Sequence, residues 1–121
     1  ANETQIVVRI HECSTALDSA LAAAGCSSAA FITAWNPGSE LMSQSDNEAA
    51  HRALGRHLKQ EGCSWFIAYA DSRTGEWPRE EGVLVLGVTL DFAEQVAKRF
   101  RQKAFLFMSI QNPVKLLYTG Y

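Results

Sequence analysis

Short runs of β-branched and aromatic residues alternate with amphipathic helical patterns along this chain, and this alternation limits the folds it can adopt. The strand-like runs cover about residues 5–11, 29–35, 64–70, 83–88, 104–110 and 114–119, and the helical patterns cover about 15–24, about 45–61 and the residues after 89. The predicted element order is therefore β-α-β-α-β-β-α-β-β. A chain of 121 residues has the size of one domain, so residues 1–121 are treated as a single domain. We predict an α+β fold, specifically a two-layer α/β sandwich with a mixed sheet.

Local signals mark where the second and third helices begin. Ser45 followed by Glu48 matches a capping box, in which each side chain satisfies a free backbone N–H of the other residue, so Ser45 is the expected N-cap. Gly62 is the expected end of that helix, because glycine readily adopts the left-handed conformation found after helix ends. Thr89 is the expected N-cap of the third helix.

Composition excludes some classes of partner. The net charge is −2, which gives no bulk attraction to nucleic acids or anionic membranes. No apolar run reaches the roughly 18–20 residues of a membrane span. The three cysteines have no Cys-x-x-Cys spacing and no signal peptide is visible, so reduced thiols in a cytoplasmic protein are expected.

Motifs for metals, cofactors and nucleophiles are missing from the sequence. His11 and Glu12 are adjacent, unlike the His-x-Glu motif of zinc deaminases. His51 and His57 are six residues apart, which places them about 240° apart around a helix and prevents joint ligation. With no nucleotide-binding glycine loop or nucleophile elbow either, we predict no metal and no cofactor, and leave enzymatic activity open.

A local basic cluster lies at the C-terminal end of the third helix, and it is formed by Lys98, Arg99, Arg101 and Lys103. Cations at a helix C-terminus are favoured by the helix dipole alone. We therefore interpret the cluster as a solvated helix end, and we do not expect nucleic acid as a partner.

Two polar segments remain candidates for a ligand site. Asn36 and Ser39 belong to an Asn-Pro-Gly-Ser turn after a strand that we expect to be central, and Asn47 lies at the start of the next helix. Ligands bind α/β sheets at such strand ends, although turn and cap chemistry explains the same residues. Trp77 and Glu80 lie in the polar stretch between the third and fourth strands. There the tryptophan either anchors the loop or stacks on a ligand, and the glutamate is either solvated or an acid–base group.

Several of these segments together resemble a known family. They are Phe31-Ile32-Thr33-Ala34-Trp35-Asn36-Pro37 with Ser39 and Asn47, Gly75-Glu76-Trp77-Pro78 with Glu80, Leu84-Val85-Leu86-Gly87, and Ala97, Arg99, Phe100, Gln102 and Ala104-Phe105. This pattern, spread over about residues 6–107, resembles the bacterial domain-of-unknown-function family 3293. The resemblance implies a small bacterial protein and carries over no catalytic residue. Family members typically have Trp-x-Glu-x-Ser in the loop, whereas Gly82 stands near the expected serine.

The resemblance also groups six polar residues as the family's signature, which are Asn36, Ser39, Asn47, Trp77, Glu80 and Gln102. Our first hypothesis is a binding site for a nucleotide-like or amino-acid-like small molecule. In that site Trp77 would stack, Asn36, Asn47 and Gln102 would read polar groups, and Glu80 would act as acid or base. The alternative is a protein-interaction or adaptor module without catalysis, forming a homo-oligomer through the apolar C-terminal hairpin.

Overall fold

A mixed six-stranded sheet forms the centre of the computed structural model, which describes residues 7–35, 41–71 and 80–120. The elements are β1 (Val7–Arg9), α1 (Thr15–Ala23), β2 (Ser28–Ile32), α2 (Gln44–Gln60), β3 (Ser64–Asp71), β4 (Glu80–Leu86), α3 (Leu90–Arg99), β5 (Ala104–Ser109) and β6 (Lys115–Tyr118). The predicted element order and the α+β class are confirmed. Within the described ranges, no helix is long and apolar enough to cross a membrane.

The strands lie in the order β1-β3-β4-β2-β5-β6, which the sequence did not reveal. β1 and β3 are parallel, and every other neighbouring pair is antiparallel. In β2, Ala30 pairs with Val85 of β4 on one side and with Phe107 of β5 on the other. The expectation that β2 is a central strand is therefore confirmed.

Helices cover both faces of the sheet, so the described structure has three layers and the expected two-layer arrangement is wrong in this detail. On one face α1 contributes Leu17 and Leu21 to a core that includes Phe31. On the other face α2 and α3 pack over Ile32 and the residues around it. The physical reason is that β2 is apolar on both sides: Ala29 to Ile32 are all buried, and both sides need cover.

The structure places one helix start differently from the sequence prediction. The N-cap of α2 is Ser43, with an extended backbone and a side-chain oxygen that accepts the Asp46 N–H at 3.1 Å. Ser45 as N-cap is therefore wrong, because the helix begins with Gln44. Two serines in nearly equivalent contexts stand two residues apart, and local pattern does not separate them. Thr89 caps α3 as predicted, since its hydroxyl accepts the Phe92 N–H at 3.1 Å.

The ends of all three described helices turn in the same way. Gly25, Gly62 and Arg101 follow α1, α2 and α3 with left-handed φ angles of 71°, 75° and 58°. Beyond α3, the Gln102 N–H then bonds back to the Ala97 carbonyl at 2.9 Å, as in a Schellman motif. This motif fixes where the chain leaves α3 and thereby sets the position of Gln102.

Candidate functional site

Three of the site residues predicted from the sequence belong to the described part of the chain, and they lie at one end of the sheet. This end comprises the residues after β2, the start of β4, the first turns of α2 and the corner between α3 and β5. Asn47, Glu80 and Gln102 belong to it. Asn36, Ser39 and Trp77 lie outside the described residues.

Thr33 fastens the end of β2 to the start of β4. Its hydroxyl donates to the Glu81 carbonyl at 3.2 Å and accepts the Trp35 N–H at 3.1 Å. The two hydrogen bonds hold the backbone of Trp35 beside β4 after regular pairing has ended. This anchoring fixes the point from which the Trp35 side chain leaves the sheet.

Gln102 connects the end of α3 to the same backbone. Its side chain is buried, with 8% of the residue exposed, and its Nε2 donates to the carbonyls of Trp35 and Phe100 at 3.1 and 3.2 Å. The Thr119 hydroxyl in turn donates to the Gln102 carbonyl at 2.7 Å. Gln102 therefore joins the end of β2, the end of α3 and the end of β6, because its side-chain nitrogen binds the Trp35 and Phe100 carbonyls and its backbone carbonyl accepts the Thr119 hydroxyl.

Asn47 and His51 share one side of α2, because residues four apart are neighbours on a helix. Asn47 is 3% exposed and its Nδ2 lies 3.5 Å from the Met42 carbonyl oxygen. One turn further on, His51 Nε2 lies 3.8 Å from a carboxylate oxygen of Glu81. Since the His51 side chain is only 15% exposed and that of Glu81 is 39% exposed, this contact joins α2 to β4 at the rim of the core.

Two buried nitrogens at this end have no hydrogen-bond partner in the described part of the chain. They are Nε1 of Trp35 and Nδ1 of His51. Such groups are rare in folded proteins, because a buried polar atom without a partner costs about 1–3 kcal/mol. Neither residue was among the candidates from sequence. The available signals were the position of Trp35 directly before Asn36 and the spacing of His51 four residues after Asn47.

The carboxyl group of Glu80, at the start of β4, has a perturbed pKa. The residue as a whole is exposed, yet desolvation of its carboxyl raises the pKa. The pKa is raised by the immediate surroundings of the carboxyl group, and the exposure of the residue to solvent keeps the effect of this shift on the free energy of unfolding small. The neutral acid is thus favoured more than in a fully solvated glutamate.

The contacts above connect the three described candidates indirectly. Gln102 binds the Trp35 carbonyl, and Thr33 links Trp35 to Glu81, the residue after Glu80. His51 links Glu81 to α2, the helix that carries Asn47.

In the described ranges, no group of three His, Cys, Asp or Glu side chains is arranged to hold a metal ion.

The three cysteines are a separate set of potentially reactive side chains. All three cysteines are free. Burial, and secondarily the Glu61 carboxylate, raises the pKa of the Cys63 thiol, which disfavours the nucleophilic thiolate.

The described chain has an α+β fold, and one end of its sheet is polar and contains two buried nitrogens without partners among the described residues. Residues 32–105 match the family described as Protein of unknown function (DUF3293), so the chain belongs to that family. The suspected resemblance is thereby confirmed. No curated protein and no solved structure matched the chain.

Proposed function

We propose that the protein binds a small polar molecule at the end of β2, between α2, β4 and the α3–β5 corner. The single observation that carries the proposal is the pair of buried nitrogens, Trp35 Nε1 and His51 Nδ1, that lack partners among the described residues. A ligand that pairs with both would remove a cost of about 1–3 kcal/mol for each atom. This gain is available only to a molecule with matching polar groups.

The two nitrogens restrict the ligand's chemistry. The indole Nε1 is always a donor, so it requires an acceptor such as a carbonyl, carboxylate or ring nitrogen. When the Nε2 hydrogen of a neutral His51 points to Glu81, Nδ1 is an acceptor and requires a donor. Molecules that carry a donor beside an acceptor include nucleobases and amino acids, the two ligand classes favoured by the sequence.

The remaining candidates have distinct parts in this proposal. Gln102 is a positioning residue, because its amide nitrogen already holds the Trp35 and Phe100 carbonyls. Asn36, Ser39 and Trp77 keep the binding roles expected from the sequence. Glu80, with its raised pKa, would supply a proton donor or acceptor if a reaction accompanies binding.

A thermal-shift screen of nucleotides, nucleobases, amino acids and sugar phosphates tests the proposal. A ligand at 100 times its dissociation constant adds about 2.7 kcal/mol to the free energy of unfolding. The stabilisation should be lost in Trp35→Phe, which removes the indole N–H, and reduced in His51→Phe and Trp77→Ala. The matched control is Trp65→Phe, which makes the same change at a partly buried tryptophan packed in the core under α2. Equal stabilisation of Trp35→Phe and the wild type would refute the site.

The edge strand β6 supports the alternative of an interaction module. It pairs with β5 on one side and ends the described sheet, and Tyr118 on it is 73% exposed. An open strand edge with an exposed aromatic can pair with a second chain. Sedimentation of the wild type and Tyr118→Lys at high concentration tests this alternative, which expects an oligomer that the substitution disrupts.

A further inference from the structure

A second surface, distinct from the end of β2, lies between α2 and the C-terminal end of α3. It is an open groove of about 280 Å³ lined by Ala53, Arg56, His57, Gln60, Arg99 and Phe100. The four residues from α2 follow one stripe of the helix, at spacings of three and four. The His57 and Phe100 rings lie 6.1 Å apart across it. We call this surface the basic groove.

Basic residues are frequent on the two chain segments that line the basic groove, although the net charge of the chain is −2. The chain has 11 lysines and arginines. Seven of them, all exposed, stand on the two segments that border the groove: Arg52, Arg56, Lys59, Lys98, Arg99, Arg101 and Lys103. Residues 52–60 and 98–103 contain no aspartate or glutamate. Of the residues that line the groove, Arg56 and Arg99 are charged and none is acidic, although the net charge of the chain is −2.

The helix dipole explains only part of this concentration. Its effect falls off within the last turn of a helix, and the basic residues of the last turns are His57 and Lys59 in α2 and Lys98 and Arg99 in α3. Arg52 and Arg56 lie further inside α2. Lys98 already lies 3.6 Å from Glu94, whereas Arg56 and Arg99 line the groove from its two sides.

We propose that the basic groove binds the phosphate groups of a small phosphorylated molecule, with Arg56 and Arg99 as the two principal contacts. Guanidinium groups match phosphate oxygens through paired, charge-assisted hydrogen bonds. The groove volume, close to the lower limit of about 300 Å³ for small-molecule sites, suits a short phosphate chain such as a di- or triphosphate. The proposal goes beyond the ligand site at the end of β2 and does not depend on it.

The test is titration calorimetry with inorganic triphosphate at low ionic strength, where exposed charges are least screened. The wild type should bind. Arg56→Gln/Arg99→Gln should weaken binding at least about tenfold, and Lys115→Gln, which removes one exposed charge outside the groove lining, should change it by less than about twofold. Thermal unfolding of each variant shows that the fold is kept.

Three outcomes would overturn the proposal. The first is that the wild type does not bind triphosphate, and the second is that the double variant binds it with unchanged affinity. The third is that a single-stranded oligonucleotide of equal charge binds more tightly than triphosphate, which would make nucleic acid the partner. Trp35→Phe should leave triphosphate binding unchanged. Failure at the basic groove and failure at the end of β2 are therefore distinguishable.

Discussion

Gly82 offers the sharpest test of the packing around the candidate site, because a side chain at this position would meet the central strand β2. A Cβ at residue 82 would lie 2.6 Å from Phe31 Cζ and 2.7 Å from the Ile32 carbonyl oxygen. Both distances are shorter than real Cβ contacts allow. The Phe31 ring can move, but the Ile32 carbonyl belongs to the central strand β2 and is held by the sheet.

The stability cost of Gly82→Ala is set by the Ile32 carbonyl, which cannot move away as the Phe31 ring can. Overpacking a core costs about 1–3 kcal/mol, and a clash with fixed backbone puts the expected loss near the upper end, at about 2–3 kcal/mol. The melting temperature of a domain this size should fall by about 6–12 °C. Gly82→Ser should cost at least as much. Urea denaturation followed by tryptophan fluorescence measures the loss.

Two comparisons identify the cause of that loss. Phe31→Leu in the Gly82→Ala background should restore only part of the stability, because the carbonyl clash remains, and a double-mutant cycle measures the coupling. Gly55→Ala adds the same methyl group against the Trp65 ring at 2.8 Å, where a side chain can shift and alanine adds about 1 kcal/mol of helix propensity. A loss below about 0.5 kcal/mol for Gly82→Ala, within the range of neutral surface changes, would refute the reasoning.

Three further predictions concern individual side chains. Gln102→Leu should cost about 1–3 kcal/mol, because two backbone carbonyls lose their donor; denaturation midpoints measure it, and a neutral effect would contradict the bridging role. Desolvation raises the pKa of Glu80 in the folded protein. The contribution of its neutral carboxyl to the free energy of unfolding is therefore present at low pH and is lost as the pH rises through the folded-state pKa. Glu80→Gln should therefore match the wild type near pH 3 and exceed it by about 0.5 kcal/mol or less near pH 7, whereas a wild type more stable at pH 7 would reverse the sign. Exposed Cys13 should react with iodoacetamide at least about tenfold faster than Cys63, whose thiol pKa is raised, as peptide mass spectrometry would show.

Signals that act over a few residues predicted the elements well. Thr89 caps α3 as expected, because a hydroxyl cap and the helical spacing of Phe92, Val96 and Phe100 act within one short segment. Gly62 marks the end of α2 for the same reason. Arg101 also adopts a left-handed conformation, and its residue type gave no indication of this.

Features set by distant parts of the chain were predicted less well. The number of layers depends on which face of the sheet each helix covers, although the unbroken apolar run from Ala29 to Ile32 already called for cover on both sides. The contact between His51 and Glu81 joins residues 30 positions apart, and it exists only because β4 pairs beside β2. Helical periodicity alone gave no sign of this contact, because it does not show which strand lies beside His51.

The end of the sheet at which three of the candidate residues lie could be predicted. The strand-end rule pointed to the residues after β2, and the structure brings Asn47, Glu80 and Gln102 to that end. The unpartnered nitrogens could not be predicted, because a missing hydrogen bond is a property of the packed structure. The engagement of the Gln102 amide by the Trp35 carbonyl likewise depends on how α3 meets β2.

The indole N–H resonances of ¹⁵N-labelled protein test the ligand site most directly. The chain has three tryptophans, so three side-chain peaks are expected, and the peak missing from Trp35→Phe identifies Trp35. Titration with pools of nucleotides, nucleobases and amino acids should shift the Trp35 peak and leave the Trp65 peak in place. A Trp35 peak that stays fixed throughout, or moves only together with that of Trp65, would contradict a ligand site at the end of β2.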